Sequence, residues 1–417
     1  MSAPAARWEF DAIGQRLLAM ADELRVFSEE RDAYTRTYLS SAHRQASARL
    51  RIWMSEAGMS VREDAVGNVI GRLECNKPGA KTLVTGSHFD TVRNGGRYDG
   101  VLGVILPVEV ARHLRAGGRE LPFSLEVVGF ADEEGVRFAT SFLGSSAYIG
   151  QFDSGLLARN DDSGVSLADA LIAAGFDPAR AGHDTRTFHD LLGFVEVHIE
   201  QGPVLLNEGL PLGVVTAIAG ASRYRVIVTG EAGHAGTVPM PLRRDALNAA
   251  AEMALAVEAC AAAQPDRLVA TVGKFQLDHA AANVIPGQVE FSIDIRSGDD
   301  DCRRQAEQAL AAQLHAIATR RNVTIDMTRY HETRATPCAP ALQQKWAAAI
   351  AAMGLPVRHL PSGAGHDAMM MAGVTEVAML FVRCGAGGIS HNPKETLSAE
   401  DAGLAAEAFE RFLLAMA

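Results

Sequence analysis

Apolar positions recur at helical spacing near the start of the chain. Trp8, Ile13, Leu17 and Leu18 predict a first helix, and a second runs from about Tyr38 to Ala57. From Val61 the period shortens: VREDAVGNVIGRL predicts two short strands, and KTLVTGSHFDTV a buried strand running into a polar loop. GVLGVILPVEVARHLRAGG reads as an apolar helix stopped by Gly117 and Gly118. FSLEVVGFADEEG is again a strand, ending in acids. Helical patterns follow at about 141–151 and 166–174, and GFVEVHIEQGPVL is a strand with polar residues at its end. Strands alternating with helices predict an α/β layered domain, in which function collects at the carboxyl ends of strands.

A different rhythm occupies about 218–330. SRYRVIVTG is a strand, LRRDALNAAAEMALAVEACAAA a long helix, RLVATVGKF and QVEFSIDIR strands, DCRRQAEQALAAQLHAIATRR a helix and VTIDMTRY a strand. That order, βαββαβ, makes a self-sufficient two-layer unit. The earlier rhythm then resumes with the helix APALQQKWAAAIAAMG, the strand VAMLFV and a final helix from Ser398, where Asp401 three residues on resembles a capping box. The expected fold is therefore α/β. A layered catalytic domain with a mixed sheet takes residues 1–217 and 331–417, and a two-layer domain is inserted over 218–330.

Composition narrows the function classes. Over 417 residues, 48% are hydrophobic and 21% charged, an ordinary globular balance that excludes disorder as the dominant state. Lys plus Arg number 39 against 50 Asp plus Glu, so the net charge is −11. A net acidic chain without a run of basic residues is a poor non-specific binder of nucleic acid, which leaves a small basic pocket for one anionic substrate. The longest apolar candidate, Ala246 to Gln264, is interrupted by Glu252 and Glu258, so no transmembrane helix is expected. MSAPAARWEF has no basic-then-apolar signal pattern. The 5 cysteines are scattered without a CxxC pair, which suits reduced thiols and a cytoplasmic location.

Four polar clusters carry candidate chemistry. GSHFDTVRNGGRYDG supplies His88, Asp90 and Asp99 in a glycine-rich loop after a strand. ADEEG places Asp132, Glu133 and Glu134 directly after an apolar strand, where adjacent carboxylates repel one another unless a cation offsets them. In VEVHIEQG, Glu196, His198 and Glu200 alternate with Val195, Val197 and Ile199, so period two sets His198 on one face near the strand's end. GGISHNPKE puts His391 in a loop before the last helix. Each cluster alone reads equally well as a solvated turn or surface strand. Together they form an inventory suited to a two-metal site, since His with carboxylate fits Zn, Mn or Co better than Ca. A shared carboxylate can hold two ions roughly 3.5–4 Å apart, and a carboxylate beside them can act as general base.

GSHFDTV, RYDGVLGV, ADEEGVRF, HIEQGPVL, GHAGTVPM, SGAGHDA and SHNPKE, in this order, resemble the M20 metallopeptidase-like amidohydrolases. The chain is most similar to their hydantoinase/carbamoylase branch, which includes N-carbamoyl-L-amino-acid hydrolases, allantoate amidohydrolases and β-ureidopropionases. The resemblance implies Asp99 as a bridging ligand, with His88 and His198 completing one metal site and Glu134 and His391 the other. It implies Glu133 as the general base and Asp90 as the carboxylate orienting His88. Peptidase members generally have a carboxylate where this chain has His198, which favours the ureido branch.

The same resemblance gives the inserted domain a role as lid and dimerisation surface, with the helix about 243–263 at a homodimer interface. It implies that His234 in GHAGTVPM stabilises the oxyanion and that Asn283 and Arg296 clamp the substrate. His234 and Asn283 would act on the other subunit's site. Arg can grip a carboxylate with two parallel hydrogen bonds; read from the residues alone, Arg296 is as well explained by an ion pair with Asp294 or Asp299. Gln201 and His366 would contact the ureido end. The expected function is metal-dependent hydrolysis of the C–N bond of an N-carbamoyl-L-amino acid or related ureido acid, with two divalent ions per subunit. Allantoate hydrolysis is the near alternative, an M20 peptidase the next, and a non-catalytic metal-binding protein the reading from another class.

Overall fold

The computed structural model describes residues 4–183 and 188–416, with side chains from Glu9 onward. The chain runs α1 (Pro4–Arg25), α2 (Ser41–Glu56), β1 (Ser60–Glu63), β2 (Val69–Leu73), β3 (Thr82–His88), α3 (Val101–Ala116), β4 (Ser124–Phe130), α4 (Leu143–Tyr148), α5 (Leu167–Ala173), β5 (Leu191–Ile199), α6 (Val204–Glu208) and β6 (Leu212–Ile218). It continues with β7 (Gly220–Thr229), β8 (Gly233–His234), α7 (Ala246–Ala262), β9 (Val269–Thr271), β10 (Phe275–Leu277), β11 (Val284–Ile285), β12 (Gln288–Ser297), α8 (Asp300–Arg320) and β13 (Thr324–Thr333). The last elements are β14 (Thr336–Pro337), α9 (Pro340–Ala352), β15 (His359–Ser362), α10 (Ala368–Met371), β16 (Val377–Val382) and α11 (Ala399–Ala415). Two compact units result. One comprises Met1–Thr216, Cys338–Leu360 and Gly365–Ala417, the other Ala217–Pro337 and Pro361–Ala364. Among the described residues no helix is long and apolar enough to cross a membrane.

The larger unit is organised by a mixed sheet in the order β1-β2-β4-β3-β5-β16-β6. Its centre, β4, β3, β5 and β16, is parallel, while β1, β2 and β6 pair antiparallel. Parallel strands are covered on both faces, and β3, β4 and β16 are buried along their whole length. The apolar run from Val101 to Val110 buries α3 almost entirely. Opposite it in sequence, Trp346 of α9 stacks on Phe412 of α11 with ring centroids 4.2 Å apart. Helix starts follow cap chemistry: Ser40 accepts from the His43 N–H, so α2 begins at Ser41 rather than at Tyr38. At α11, Ser398 accepts from the Asp401 N–H, but the Asp401 carboxylate pairs with Arg383, so only half of the expected capping box forms.

The smaller unit is a sheet in the order β10-β12-β7-β13, with β9 also paired to β12. Period two on β12 buries Val289, Phe291, Ile293 and Ile295, and on β7 it buries Tyr224, Val226 and Val228. These side chains form one core with Ala249, Met253 and Val257 of α7 and Leu310, Leu314 and Ile317 of α8. Each fully buried large aliphatic or aromatic side chain stabilises the fold by roughly 1.5–3 kcal/mol. The opposite face carries Arg223, Arg225, Ser292, Asp294 and Arg296. RLVATVGKF, expected as one strand, is broken into β9 and β10, because near Gly273 the ladder yields to the Ser292 hydroxyl, which accepts the Lys274 N–H.

Candidate metal centre

The parallel centre of the large sheet delivers its strand ends to one edge. His88 closes β3 and lies level with Phe130, the last residue of β4, after which the chain passes through Ala131 to Asp132, Glu133 and Glu134. On β5, period two puts Glu196 and His198 on one face, and His198 is level with Phe381 of β16. Both are buried, so β5 is not a surface strand. Asp99 stands at the entrance to α3. There Gly100 adopts φ 66°, and a Cβ on it would lie 2.5 Å from the His88 ring, so only glycine fits. His391 comes from the loop between β16 and α11 and holds φ 53°; Gln201, after β5, holds φ 56°. Left-handed backbone at non-glycine residues costs of order 1 kcal/mol or more and persists only where surroundings impose it.

Asp99 is the hub. One carboxylate oxygen lies 3.3 Å from His198 Nε2 and 3.8 Å from His88 Nε2; the other lies 3.1 Å from His391 Nε2. His391 Nε2 is also 3.4 Å from the Glu134 carboxylate. His88, Asp99 and His198 each offer a ligand atom within 4.8 Å of the others, as do Asp99, Glu134 and His391. Two further groups meet the same test, His88 with Glu133 and Glu134, and Glu196 with His198 and His366.

The surroundings orient these groups. His198 Nδ1 donates to the Ile199 carbonyl at 2.8 Å, which leaves Nε2 facing Asp99. Asp90 lies with one oxygen 3.3 Å from His88 Nδ1, and its two oxygens accept the N–H groups of Glu133 at 3.0 Å and Glu134 at 3.2 Å. A single buried carboxylate thus fixes the imidazole and the turn that carries both glutamates. The Glu133 carboxylate makes no hydrogen bond among the described residues, whereas Glu134 reaches His391. Asp99 is steadied from the far side: Glu395 accepts the N–H groups of Tyr98 at 2.8 Å and Asp99 at 3.3 Å, and accepts from the Ser390 hydroxyl at 2.7 Å.

Electrostatics mark the cluster as short of positive charge. Burial pushes Glu134 up to about 7, Glu395 to about 7, and Glu196 to about 8, with neighbouring carboxylates adding to the effect. Burial likewise raises Glu133 well above the ordinary carboxylate range. His391 rises to about 9 through its hydrogen bond to Asp99, and burial lowers His198 to about 4. Burial opposes charge on His88, but Asp90 outweighs it and the ring's pKa is raised. Among the described residues no Lys or Arg hydrogen-bonds to Asp90, Asp99, Glu133, Glu134 or Glu196. Buried carboxylates without cationic partners are costly. A set of His and carboxylate donors, two groups of which share Asp99, fits divalent cations by its chemistry, and these groups are able to bind metal ions.

The remaining residues singled out in the sequence divide between the two units. Gln201 lies in the cluster, its Nε2 donating to Asp99 at 3.0 Å. His366 is buried there as well, edge-on to the His198 ring at 4.5 Å. In the smaller unit, His234 on β8 is exposed and accepts the Gly236 N–H at 3.0 Å. The exposed Asn283 sits just before β11, and its carbonyl accepts the Ala235 N–H. Arg296 is engaged by Asp294 through Nε at 2.9 Å and Nη2 at 3.0 Å, the ion pair that its spacing allows. Sequence reasoning missed Ser390, Glu395 and His43. His43 is fully buried beneath the site, stacked on Phe89 at 4.4 Å and bonded to the Ala131 carbonyl at 2.7 Å. Its place inside α2, next to the Ser40 cap, gave no signal.

The family model described as peptidase family M20/M25/M40 matches residues 84–415. The chain is 40% identical to the allantoate deiminase of Arabidopsis thaliana, across 95% of this chain and 81% of that protein. It is 38% identical to the N-carbamoyl-L-amino acid amidohydrolase of Geobacillus stearothermophilus, across 95% and 96%. A crystal structure of an amidase of the hydantoinase/carbamoylase family from Burkholderia multivorans superposes with a TM-score of 0.90 at 34% identity, across 97% and 98%. With that coverage and identity over nearly its whole length, the chain belongs to peptidase family M20/M25/M40, among its hydantoinase/carbamoylase amidases.

Proposed function

We propose that this protein is a two-metal amidohydrolase that cleaves the C–N bond of an N-carbamoyl-L-amino acid or a closely related ureido acid. The observation that carries the reading is Asp99, whose two oxygens face different imidazole sets. His88, His198 and Asp99 would hold one divalent ion, and Glu134, His391 and Asp99 the other; Zn, Mn and Co all suit such donors. Bound ions would supply Lewis-acid activation of water and of the substrate carbonyl. Glu133 is the general base: its carboxylate makes no hydrogen bond among the described residues, and its raised pKa suits a group that takes a proton from water and returns it to the leaving nitrogen. For a carbamoyl amino acid the products are amino acid, ammonia and carbon dioxide. Gln201 and His366 would meet the ureido end, Asn283 and Arg296 the carboxylate, and His234 the oxyanion. We read the unit Met1–Thr216, Cys338–Leu360 and Gly365–Ala417 as the catalytic domain, the unit Ala217–Pro337 with Pro361–Ala364 as the lid and dimerisation domain, its boundary lying past the 330 that the sequence suggested, and the protein as a cytoplasmic homodimer.

Allantoate is the second reading, favoured by the relative named for it at 40% identity. The test is a panel of N-carbamoyl-L-amino acids, allantoate, ureidopropionate and dipeptides, run after chelation and again with Mn, Co or Zn added. Turnover of a ureido acid should vanish on chelation and return with metal. Full activity in the thoroughly chelated enzyme, or preferential cleavage of the dipeptides, would overturn the proposal.

A further inference from the structure

On the helix-free face of the smaller unit's sheet lies a cavity of about 580 Å³, a size typical of small-molecule sites. Arg223, Lys274, Ser292, Asp294, Arg296 and Tyr330 set its chemistry, and its aliphatic residues are Val269 and Ile293. Period two on β12 brings Ser292, Asp294 and Arg296 to this face. Arg223 is the ladder partner of Asp294 on β7, so the two guanidiniums flank one carboxylate.

Asp294 accepts from Arg296 Nε and Nη2 and, at 2.9 Å, from Arg223 Nε. Arg296 Nη1 donates to the Gly363 carbonyl at 2.8 Å. Asp294 thus ties one edge of each guanidinium. The Nη1 and Nη2 groups of Arg223 make no hydrogen bond among the described residues. Three cations, Arg223, Lys274 and Arg296, line the cavity with one acid, Asp294, while Glu290 on the same face of β12 pairs with Arg225 and lies near Lys274. His331, the ladder partner of Arg223 on β13, has its pKa lowered by burial and then by Arg223, in keeping with excess positive charge. Between Arg329 and His331 the ladder slips, and Tyr330 is the extra residue. A bulge of this kind re-aims a side chain, and here the tyrosine lines the cavity.

A cavity edged by Arg223, Lys274 and Arg296, with the Arg223 Nη1 and Nη2 groups open to a ligand, offers a substrate arm hydrogen-bond donors that an apolar side chain cannot use. We propose that Arg223 is a specificity-determining residue: beside Arg296, it selects ureido acids whose second arm carries acceptor oxygens, either a carboxylate or a ureido carbonyl. The inference rests on the amidohydrolase reading and on Arg296 as the carboxylate clamp.

The test compares wild type with Arg223→Ala on N-carbamoyl-L-leucine, N-carbamoyl-L-aspartate and allantoate. Wild type should favour the aspartate compound, allantoate or both over the leucine compound. Arg223→Ala should lower kcat/KM for the favoured substrates by about 10- to 100-fold, mainly through KM, as for loss of a hydrogen bond to a charged group. The leucine substrate should change by no more than about threefold. Arg223→Lys separates the two arms. A point charge retains much of a carboxylate's binding but not the planar fork that a ureido carbonyl can use. Melting curves establish that each variant folds, and Arg223→Gln replaces the alanine variant if it does not. Equal losses on all substrates, or none, would overturn the proposal. If wild type turned over no ureido acid, the amidohydrolase reading would fail. Calorimetric titration of the same compounds into wild type and Arg223→Ala would still decide the selectivity.

Discussion

At the carboxyl edge of the larger sheet, Asp90, Asp99, Glu133, Glu134 and Glu196 crowd together with His88, His198 and His391. On the helix-free face of the smaller sheet, Arg223 and Arg296 hold Asp294 between them, and Lys274 lines the same cavity. The first cluster lacks positive charge and the second lacks negative charge, but they bear the imbalance differently. Asp90 and His198 are each 1% exposed and Asp99 5%, so water cannot screen them. The side chains of Arg223, Asp294 and Arg296 keep 39%, 27% and 32% of their exposure. A buried cluster must have its missing charge supplied from outside; a half-exposed one can wait for it in water. That is the physical difference between a site that holds an ion and a site that samples substrates.

The comparison is tested hardest at Glu133. Glu133→Gln should lower kcat by about 10²- to 10⁴-fold, the usual cost of losing a general base, while metal content by elemental analysis stays near wild type. Glu134→Gln should instead lose metal, because Glu134 is the glutamate that reaches His391. Reversed phenotypes would exchange the roles of the two glutamates.

Acid stability probes the floor of the buried side. Burial lowers His43 to about 4 in the folded protein, while in the unfolded chain it titrates near 6.5. Below about pH 6.5 the unfolded chain binds a proton that the native state refuses, so stability falls from there to about pH 4 and is unaffected above. The loss is on the order of 3 kcal/mol across that window. His43→Gln keeps a donor for the Ala131 carbonyl and cannot titrate. Denaturant melts should show its stability changing less between pH 7 and pH 4.5; an unchanged pH slope would remove His43 as a cause.

Much of this was legible along the chain because the large sheet's ligands lie at strand ends. The switch from apolar strand to acids after Phe130, and the alternation around His198, follow from period two alone. The alternation FSIDIR likewise separated the core face of β12 from its polar face. Asp99 and His391 sit in loops without periodicity, and only the motif resemblance singled them out. Glu395 escaped notice because it acts on the Tyr98 and Asp99 backbone across 297 and 296 residues, a pairing that no local pattern encodes. His43 escaped because a histidine inside a helix carries no sign of which strand ends will rest on it. The broken edge strand β9–β10 was missed because a side-chain acceptor, Ser292, replaced a ladder bond.

The smallest expected effects come from removing one carboxylate on each side. In the buried cluster, Asp90→Asn puts an amide where two N–H groups and an imidazole converge. One oxygen cannot accept what two did, and a stranded buried N–H costs about 1–3 kcal/mol. Stability should drop by that order, and metal affinity should fall about 10- to 100-fold, as for other partners that orient a ligand. In the half-exposed cluster, Asp294→Asn removes a carboxylate shared by two arginines, but water replaces the lost partner and the expected loss of stability is below about 1 kcal/mol. Its mark should be kinetic. If Asp294 holds Arg296 in position, the amide loosens the clamp and KM for a ureido acid rises a few-fold while kcat is nearly unchanged. If Asp294 instead competes with the substrate carboxylate for Arg296, KM falls. Denaturant melts and steady-state kinetics on both variants measure these quantities side by side. A stability loss at Asp294 as large as that at Asp90 would show that burial does not separate the two clusters.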